Sequence, residues 1–136
     1  QPEGAGYPSE GIELLAQIPN NQLPGSQGGA NSDCWGYTSP SGREYAIMGV
    51  DCATVFVEIT DPGNPIIVDH VAGPCCIWRD FKTYGEHAYI VSECGGLGII
   101  PVDLSDIDNG NIPVLPNVVG PAGGASHNVA LNADTG

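Results

Sequence analysis

The five cysteines are the residues whose spacing carries the most chemical information. Cys34 and Cys52 are 18 residues apart. The same spacing separates Cys76 from Cys94. Paired cysteines indicate disulfide bonds and an oxidising compartment. A zinc site is the alternative, but the chain has no C-x-x-C pairs and no clustered histidine partner. Cys75 is left over, to pair outside this sequence, to remain free or to bridge to its neighbour Cys76.

A second set of candidates combines aromatic, charged and amide side chains. Polar groups that converge in a concave, aromatic-lined place are the usual basis of a ligand site. The structural alternative is an ion pair between Arg79 and Asp80 and capped strand ends, with both tryptophans packed between blades. The six candidate ligand-binding residues are Trp35, Trp78, Arg79, Asp80, His127 and Asn128.

An acidic stretch supplies a candidate calcium site at Asp103, Asp106 and Asp108, followed by Asn109 and Asn111. Carboxylate and amide oxygens are the ligands that Ca²⁺ prefers. The EF-hand spacing is not met, because a glycine stands where the third ligand should be. A solvated turn is the alternative reading of this stretch, and Ca²⁺ is the only cofactor that the sequence suggests.

Catalytic signatures are missing from the sequence. It contains neither H-E-x-x-H nor G-x-S-x-G. A nucleophile, a base and an orienting group cannot be assembled from its residues, so a non-catalytic module is expected. The enzyme alternative is a metal-assisted hydrolase that uses Asp80 and His127 among its ligands.

The charge balance restricts the partners. Three Lys and Arg residues face 16 Asp and Glu residues, for a net charge of −13. Nucleic-acid binding requires basic residues to neutralise phosphates, so nucleic acid is excluded as a partner. Cations such as Ca²⁺ are the charged partners that this balance favours, and solubility is the simpler explanation. No run of apolar residues approaches the ~18 of a membrane-spanning helix, so no membrane insertion is expected.

The elements that would position these residues repeat along the chain. Residues 42–48 match residues 85–91 at an offset of 43, which also separates Trp35 from Trp78. Residues 55–61 match residues 100–106 at an offset of 45. Each unit has four short runs rich in Val, Ile, Tyr and Phe, separated by Gly, Pro, Asn or Asp. Such runs are typical of strands and such separators of turns.

Four strands in about 40–50 residues are typical of a β-propeller blade. The sequence therefore predicts an all-β β-propeller fragment of about two and a half four-stranded antiparallel blades. Because the chain stops in a predicted hairpin turn, we expect a piece of a longer protein, with Gln1 as a mature N-terminus. The expected layout is an N-terminal extension over 1–10 and a partial propeller over 11–136, made of an outer strand over 11–18, blades over 33–72 and 77–120, and the start of another blade over 125–136.

Several of these motifs resemble a known family. Residues 54–65, TVFVEITDPGNP, resemble the LVIVD repeat, in which an apolar strand runs into a D-P-x-N-P turn. Residues 35–37, 78–82 and 126–131 resemble the successive inner strands of the choice-of-anchor B proteins, which are secreted or surface-anchored propellers. The second repeat departs from the pattern at 106–113. The resemblance implies a β-propeller and an extracellular location, and implies little about activity.

The blade layout leads to two expectations about sites. Each cysteine pair falls at one end of its predicted sheet, so we expect Cys34–Cys52 and Cys76–Cys94 bridges, with Cys75 unpaired or paired externally. The six candidate ligand-binding residues fall on predicted innermost strands, which line the central channel. We therefore expect a secreted or cell-surface propeller that acts as a binding or structural module, with other extracellular proteins, copies of itself or a small ligand as partners.

Overall fold

The computed structural model describes residues 10–121 and 123–135; the expected N-terminal extension lies outside the described residues except for Glu10. The regular structure of the described residues is β-strand, apart from two short 3-10 turns at Asn20–Gln22 and Ile107–Asn109. The prediction of an all-β chain is confirmed at this level.

The strands form two antiparallel sheets in which neighbours in the chain are neighbours in space. Their residues are mostly β-branched, aromatic or aliphatic, which suits a pleated and buried surface. The first sheet contains β1 (Ser32–Thr38), β2 (Glu44–Val50), β3 (Ala53–Glu58) and β4 (Ile66–Ala72). The second sheet contains β5 (Arg79–Tyr84), β6 (His87–Ser92) and β7 (Ile100–Asp103).

The second sheet has three strands where four were expected. The fourth segment still runs beside β7, through isolated bridges that join Val102 to Val114 and Ile99 to Val118. Proline has no backbone N–H to donate and interrupts a ladder. Pro101 in β7 and Pro116 in the fourth segment remove such donors, so this segment does not become a continuous strand.

The inner strands of the two repeats are not related by the offset of 43 residues. The β1–β2 turn spans residues 39–43, whereas the β5–β6 turn has only Gly85 and Glu86. Trp35 therefore lies opposite Ile47 in the first sheet, and the corresponding place in the second sheet, opposite Ile90, belongs to Phe81. Trp78 instead precedes β5 by one residue. Because the β5–β6 turn is three residues shorter than the β1–β2 turn, every residue of β5 lies three positions away from the place that the offset of 43 predicts.

The two sheets pack face to face. Buried side chains from both sheets form one cluster, which includes Tyr45, Ile47 and Phe56 from the first sheet and Phe81 and Ile90 from the second. These five side chains have no exposed surface. Burying a large apolar side chain contributes about 1.5–3 kcal/mol, so this shared cluster is the main attraction between the sheets.

The opposite face of the first sheet is also buried. Val50, Ala53, Val55 and Val57 form a second cluster there, covered by Leu23 from the segment that precedes β1. Sheets that are buried on both faces read as continuous apolar runs instead of alternating ones. This is why five consecutive residues of β3, positions 53–57, are buried.

The inner strands β1 and β5 lie side by side where the two sheets meet. Ser32 Oγ donates to the carbonyl of Arg79 at 3.1 Å and accepts from the backbone N–H of the same residue at 3.1 Å. The indole N–H of Trp35 donates to Thr83 Oγ1 at 3.0 Å. At Gly49 a Cβ atom would lie 3.1 Å from Phe81 Cζ, so the glycine lets the second sheet approach β2 closely.

Two disulfides hold the connection between the sheets. Cys52, in the β2–β3 turn, pairs with Cys75, and Cys76 pairs with Cys94 after β6. In the β4–β5 connection, Cys75 is thus bonded to the first sheet and the adjacent Cys76 to the second. The Cys76–Cys94 bridge is the one expected from the sequence. Cys34 is free and exposed.

The expected Cys34–Cys52 bridge is wrong, and the register explains why. Cys34 lies within β1, opposite Met48, whereas Cys52 lies beyond Val50 at the end of β2. At ~3.3 Å per residue the offset along the strands is about 10 Å, which exceeds the ~7 Å limit for the Cα atoms of a disulfide. Cys75, expected to be unpaired or paired externally, occupies the position that can reach Cys52, with Cα atoms 4.0 Å apart.

Two segments assigned to neighbouring blades are not strands in the structure. Residues 11–18 and 125–131 have no regular secondary structure. A strand requires a hydrogen-bonded partner, and the blades to which these segments were assigned have no other strand in this sequence. The described residues do not close into a ring.

Candidate functional site: a cleft between the two sheets

Three separate segments meet around a cleft of about 630 Å³ beside the inner strands. They are residues 30–33, at the start of β1, residues 77–82, along β5, and residues 127–129. Five of the six candidate ligand-binding residues line it, and Trp35 does not. The five are Trp78, Arg79, Asp80, His127 and Asn128.

Asp80 holds the wall of the cleft together. Its side chain is buried and accepts hydrogen bonds from the backbone N–H of Phe81 at 2.8 Å and of Val129 at 2.7 Å. The ammonium of Lys82 lies 2.7 Å from the same carboxylate. Burial disfavours the charge, but hydrogen bonds from Asp33, Lys82 and Val129 outweigh it and hold the pKa of Asp80 well below its usual range. Asp80 is therefore an anchor for the 127–129 segment.

Asp33 is a second acid that interacts with Asp80. It lies at an irregularity in the β1–β2 pairing and has a φ of 48°, a left-handed conformation that Asp tolerates better than most residues. Partial desolvation raises the pKa of Asp33, and the hydrogen bond with Asp80 raises it further. Two neighbouring carboxyl groups ionise in turn because like charges repel, so their contact raises the pKa of Asp33 while it lowers that of Asp80.

Both cations of the cleft are occupied by groups of the protein itself. Lys82 Nζ also donates to the carbonyl of Phe81 at 2.8 Å and lies 4.2 Å from the centroid of the Trp35 ring. Arg79 is 3% exposed and donates to the carbonyls of Val50, at 3.3 Å, and Pro74. Burial lowers the pKa of Arg79.

The structural alternative for these residues also differs from the observed contacts. The acid that Arg79 was expected to pair with, Asp80, pairs with Lys82 instead. Successive side chains of a strand point to opposite faces, which separates neighbours in sequence and brings residues two apart to the same face. The two tryptophans differ from each other. Trp35 is 39% exposed and contacts Thr83 and Lys82 of the second sheet, whereas Trp78 is 50% exposed and lies beside His127.

The outer rim of the cleft is aromatic and acidic. The rings of Trp78 and His127 lie 5.8 Å apart between centroids. Nδ1 of His127 lies 2.5 Å from Oε1 of Glu93, which follows β6. Asn128 is exposed beside them. The rim thus presents ring faces and carboxylates to solvent.

Sequence reasoning did not single out Asp33, Lys82 or Glu93 as members of this site. The usable signal was the scarcity of positive charge. Two of the three basic residues of the chain, Arg79 and Lys82, fall within four positions on one strand. Lys82 lies against the Asp80 carboxylate, so one of these two cations points to an acid of the site.

The acidic stretch after β7 does not bring its three carboxylates together. Asp106 accepts from the side-chain amides of Asn109 and Asn111, at 2.6 and 3.0 Å. Asp103 accepts from the backbone N–H of Ser105 at 2.8 Å. Each of these carboxylates therefore serves a local turn. Within residues 10–121 and 123–135, no group of three metal-ligating side chains is found.

Asp108 has a different role from its neighbours. Its carboxylate accepts from the Tyr45 hydroxyl at 2.6 Å, and its carbonyl accepts from Arg43 Nη1 at 2.7 Å. Arg43 also lies 3.3 Å from the carboxylate of Glu58. The stretch that departs from the repeat pattern thus clamps the second sheet to the first.

No helix among the described residues is long and apolar enough to cross a membrane. The chain matches no protein-family model. It also matches no curated protein and no solved structure.

Proposed function

We propose that this chain contributes blades to a secreted or cell-surface β-propeller of the LVIVD-repeat type, similar to the choice-of-anchor B proteins, and acts there as a non-catalytic binding module. Propellers repeat antiparallel sheets around an axis, with the sheets packed against each other and their first strands at the centre. The face-to-face packing of the two sheets and the adjacency of β1 and β5 support this arrangement.

The extracellular location is supported by the two disulfides. Such bonds form and persist in oxidising compartments and are rare in the cytosol. Both bridges involve the short connection between the sheets, so oxidation stabilises the pairing of the two repeats.

The observation that carries the binding function is the cleft. Three segments that are far apart in sequence converge there, and an exposed tryptophan, two carboxylic acids and an amide line it. The buried contacts of Asp80 hold these segments in position before any ligand arrives. A preformed concave site of this kind spends little free energy on ordering when it binds.

Hydrogen exchange of the purified chain, with and without extracellular polysaccharides and peptides, tests the proposal. A ligand of the cleft will slow amide exchange in residues 31–33, 78–82 and 127–129. Trp78→Ala will weaken that protection, whereas Tyr84→Phe, a change on the exposed end of β5, will keep it. Ligands that protect only other surfaces, equally in both variants, would contradict the assignment of the site.

No specific observation favours the metal-assisted hydrolase. His127 is held by Glu93, and Asp80 is neutralised by Lys82. A metal would have to displace these partners, so the non-catalytic module is the function that the cleft supports best.

A further inference from the structure

The cleft presents carboxyl and aromatic groups to solvent, while its positive groups are used internally. Lys82 and Arg79 are the two cations that line it. Lys82 is engaged by Asp80, and Arg79 by backbone carbonyls. In a chain with a net charge of −13, this leaves no free cation in the cleft to attract an anionic ligand.

The protein already shows how it holds an ammonium group. The Lys82 ammonium lies over the ring of Trp35 at 4.2 Å and 2.7 Å from a carboxylate of Asp80. An aromatic face and a carboxylate together form a favourable site for an ammonium. The cleft is also lined by the half-exposed Trp78 and the exposed Asp33, an aromatic ring and a carboxyl group, and the ion pair of Lys82 is made with Asp80 instead of Asp33.

We propose that the cleft binds an organic ammonium group, with the Trp78 indole and the Asp33 carboxylate as its contacts. This proposal rests on the proposed binding function and specifies its ligand class. The Glu93 carboxylate at the rim adds to the negative potential that attracts the cation.

Ammonium binding depends on the protonation of Asp33. The ligand arrives already protonated, and its ammonium pairs with Asp33 when that side chain is a carboxylate. Asp80 and Lys82 from β5 face Asp33, and His127 and Glu93 lie at the rim of the same cleft. Because the pKa of Asp33 is raised above its usual value, protonation of Asp33 competes with the ligand as the pH is lowered, and the affinity rises as the pH increases.

A titration of the isotope-labelled full chain with n-butylammonium, followed by NMR, tests the proposal. Butanol and butyrate serve as neutral and anionic probes of the same length. We expect butylammonium to shift the Trp78 indole resonance and the amides of residues 31–33 and 78–82, and butanol and butyrate to bind more weakly.

Two variants and a matched control identify the contacts. Asp33→Asn will lower the association constant about tenfold, through loss of a charge-assisted contact. Asn suits this position because it tolerates the left-handed conformation. Trp78→Ala will lower the association constant about two- to fivefold. Asp69→Asn removes an equal charge from β4, outside the cleft, and will leave binding unchanged.

Three outcomes would overturn the assignment. If Asp33→Asn and Asp69→Asn weakened butylammonium binding equally, the ligand would be attracted by the overall negative charge and not by contact with Asp33. Binding of butanol or butyrate as strong as that of butylammonium would remove the charge preference. Absence of any shift in the cleft while polymers still protect it in hydrogen exchange would disprove the ammonium ligand and leave the binding function standing.

Discussion

The two sheets of this protein come from segments whose sequences match at offsets of 43 and 45 residues, and they differ in how many strands they form. The first sheet has four continuous strands and is buried on both faces. The second has three strands, and prolines interrupt its fourth segment. Both sheets share a buried middle strand, since β2 and β6 match at an offset of 43 residues. The repeat is therefore defined by its core positions and tolerates changes at its edges and turns.

The largest expected effect tests whether the two sheets form one cooperative unit. Phe56→Ala and Phe81→Ala each remove a fully buried ring from the shared cluster, one from each sheet. We expect each substitution to lower the free energy of unfolding by about 3–5 kcal/mol. Urea unfolding followed by fluorescence and by circular dichroism should give a single coincident transition for each variant. A much smaller loss for Phe81→Ala, or two separate transitions, would show that the sheets unfold independently.

The disulfides provide the next comparison, because each ties the connection to a different sheet. Replacing Cys52 and Cys75 together by serine should cost about 3 kcal/mol of unfolding free energy, and so should replacing Cys76 and Cys94. Cys34→Ser should change the stability little, since this cysteine is free and exposed. Peptide mass mapping without reduction checks the pairing directly. Recovery of a Cys34–Cys52 peptide would contradict the register described for β1.

The pH dependence of stability distinguishes the two acids of the cleft. The lowered pKa of Asp80 means that its stabilising contacts are complete above the unfolded value of 3.8 and are lost as the pH falls below it. Asp33, with a raised pKa, acts in the opposite direction and favours the fold below that value. Asp80→Asn should cost about 1–3 kcal/mol at pH 7.

The difference between wild type and Asp80→Asn should shrink between pH 4 and pH 2, as protonation removes the same contacts from the wild type. Urea unfolding at several pH values measures this difference in unfolding free energy, and Asp69→Asn, which removes the same charge, is the control. A difference that stays constant over this range would show that Asp80 does not gain its stability as a carboxylate.

The smallest expected effect concerns the hydrogen bond by which Asp108, after β7, holds Tyr45 of the first sheet. Tyr45→Phe removes the hydrogen bond to Asp108 and should cost about 1 kcal/mol, while Tyr84→Phe, at an exposed position, should cost nothing measurable. Burial and the Asp108 carboxylate raise the pKa of Tyr45 to about 12, so Tyr45 should ionise only in strongly alkaline solution. If added Ca²⁺ raised the melting temperature, the clamp would have to be reinterpreted as part of a calcium site.

Much of the fold was predictable because it depends on local patterns. Runs such as 53–58 are apolar and β-branched, and glycines and prolines bound them, so the strands and the all-β class follow from the sequence. The match between β2 and β6 at an offset of 43 residues was visible for the same reason, since both strands have apolar residues at their buried positions. The candidate residues around Trp78 and His127 could also be named in advance, because their chemical types suit a ligand site.

The sequence by itself thus determined which segments form strands and which chemical groups are available. Only the tertiary structure decided which of them meet. The register of β1 kept Cys34 away from Cys52, the β4–β5 connection brought Cys75 to Cys52, and the packing of the two sheets placed Asp33 near Asp80. Because side chains alternate along β5, Asp80 forms its ion pair with Lys82 instead of Arg79. These outcomes depend on register and on contacts between residues about 20 to 50 positions apart, and a difference of one residue in a strand reverses the face that a side chain occupies.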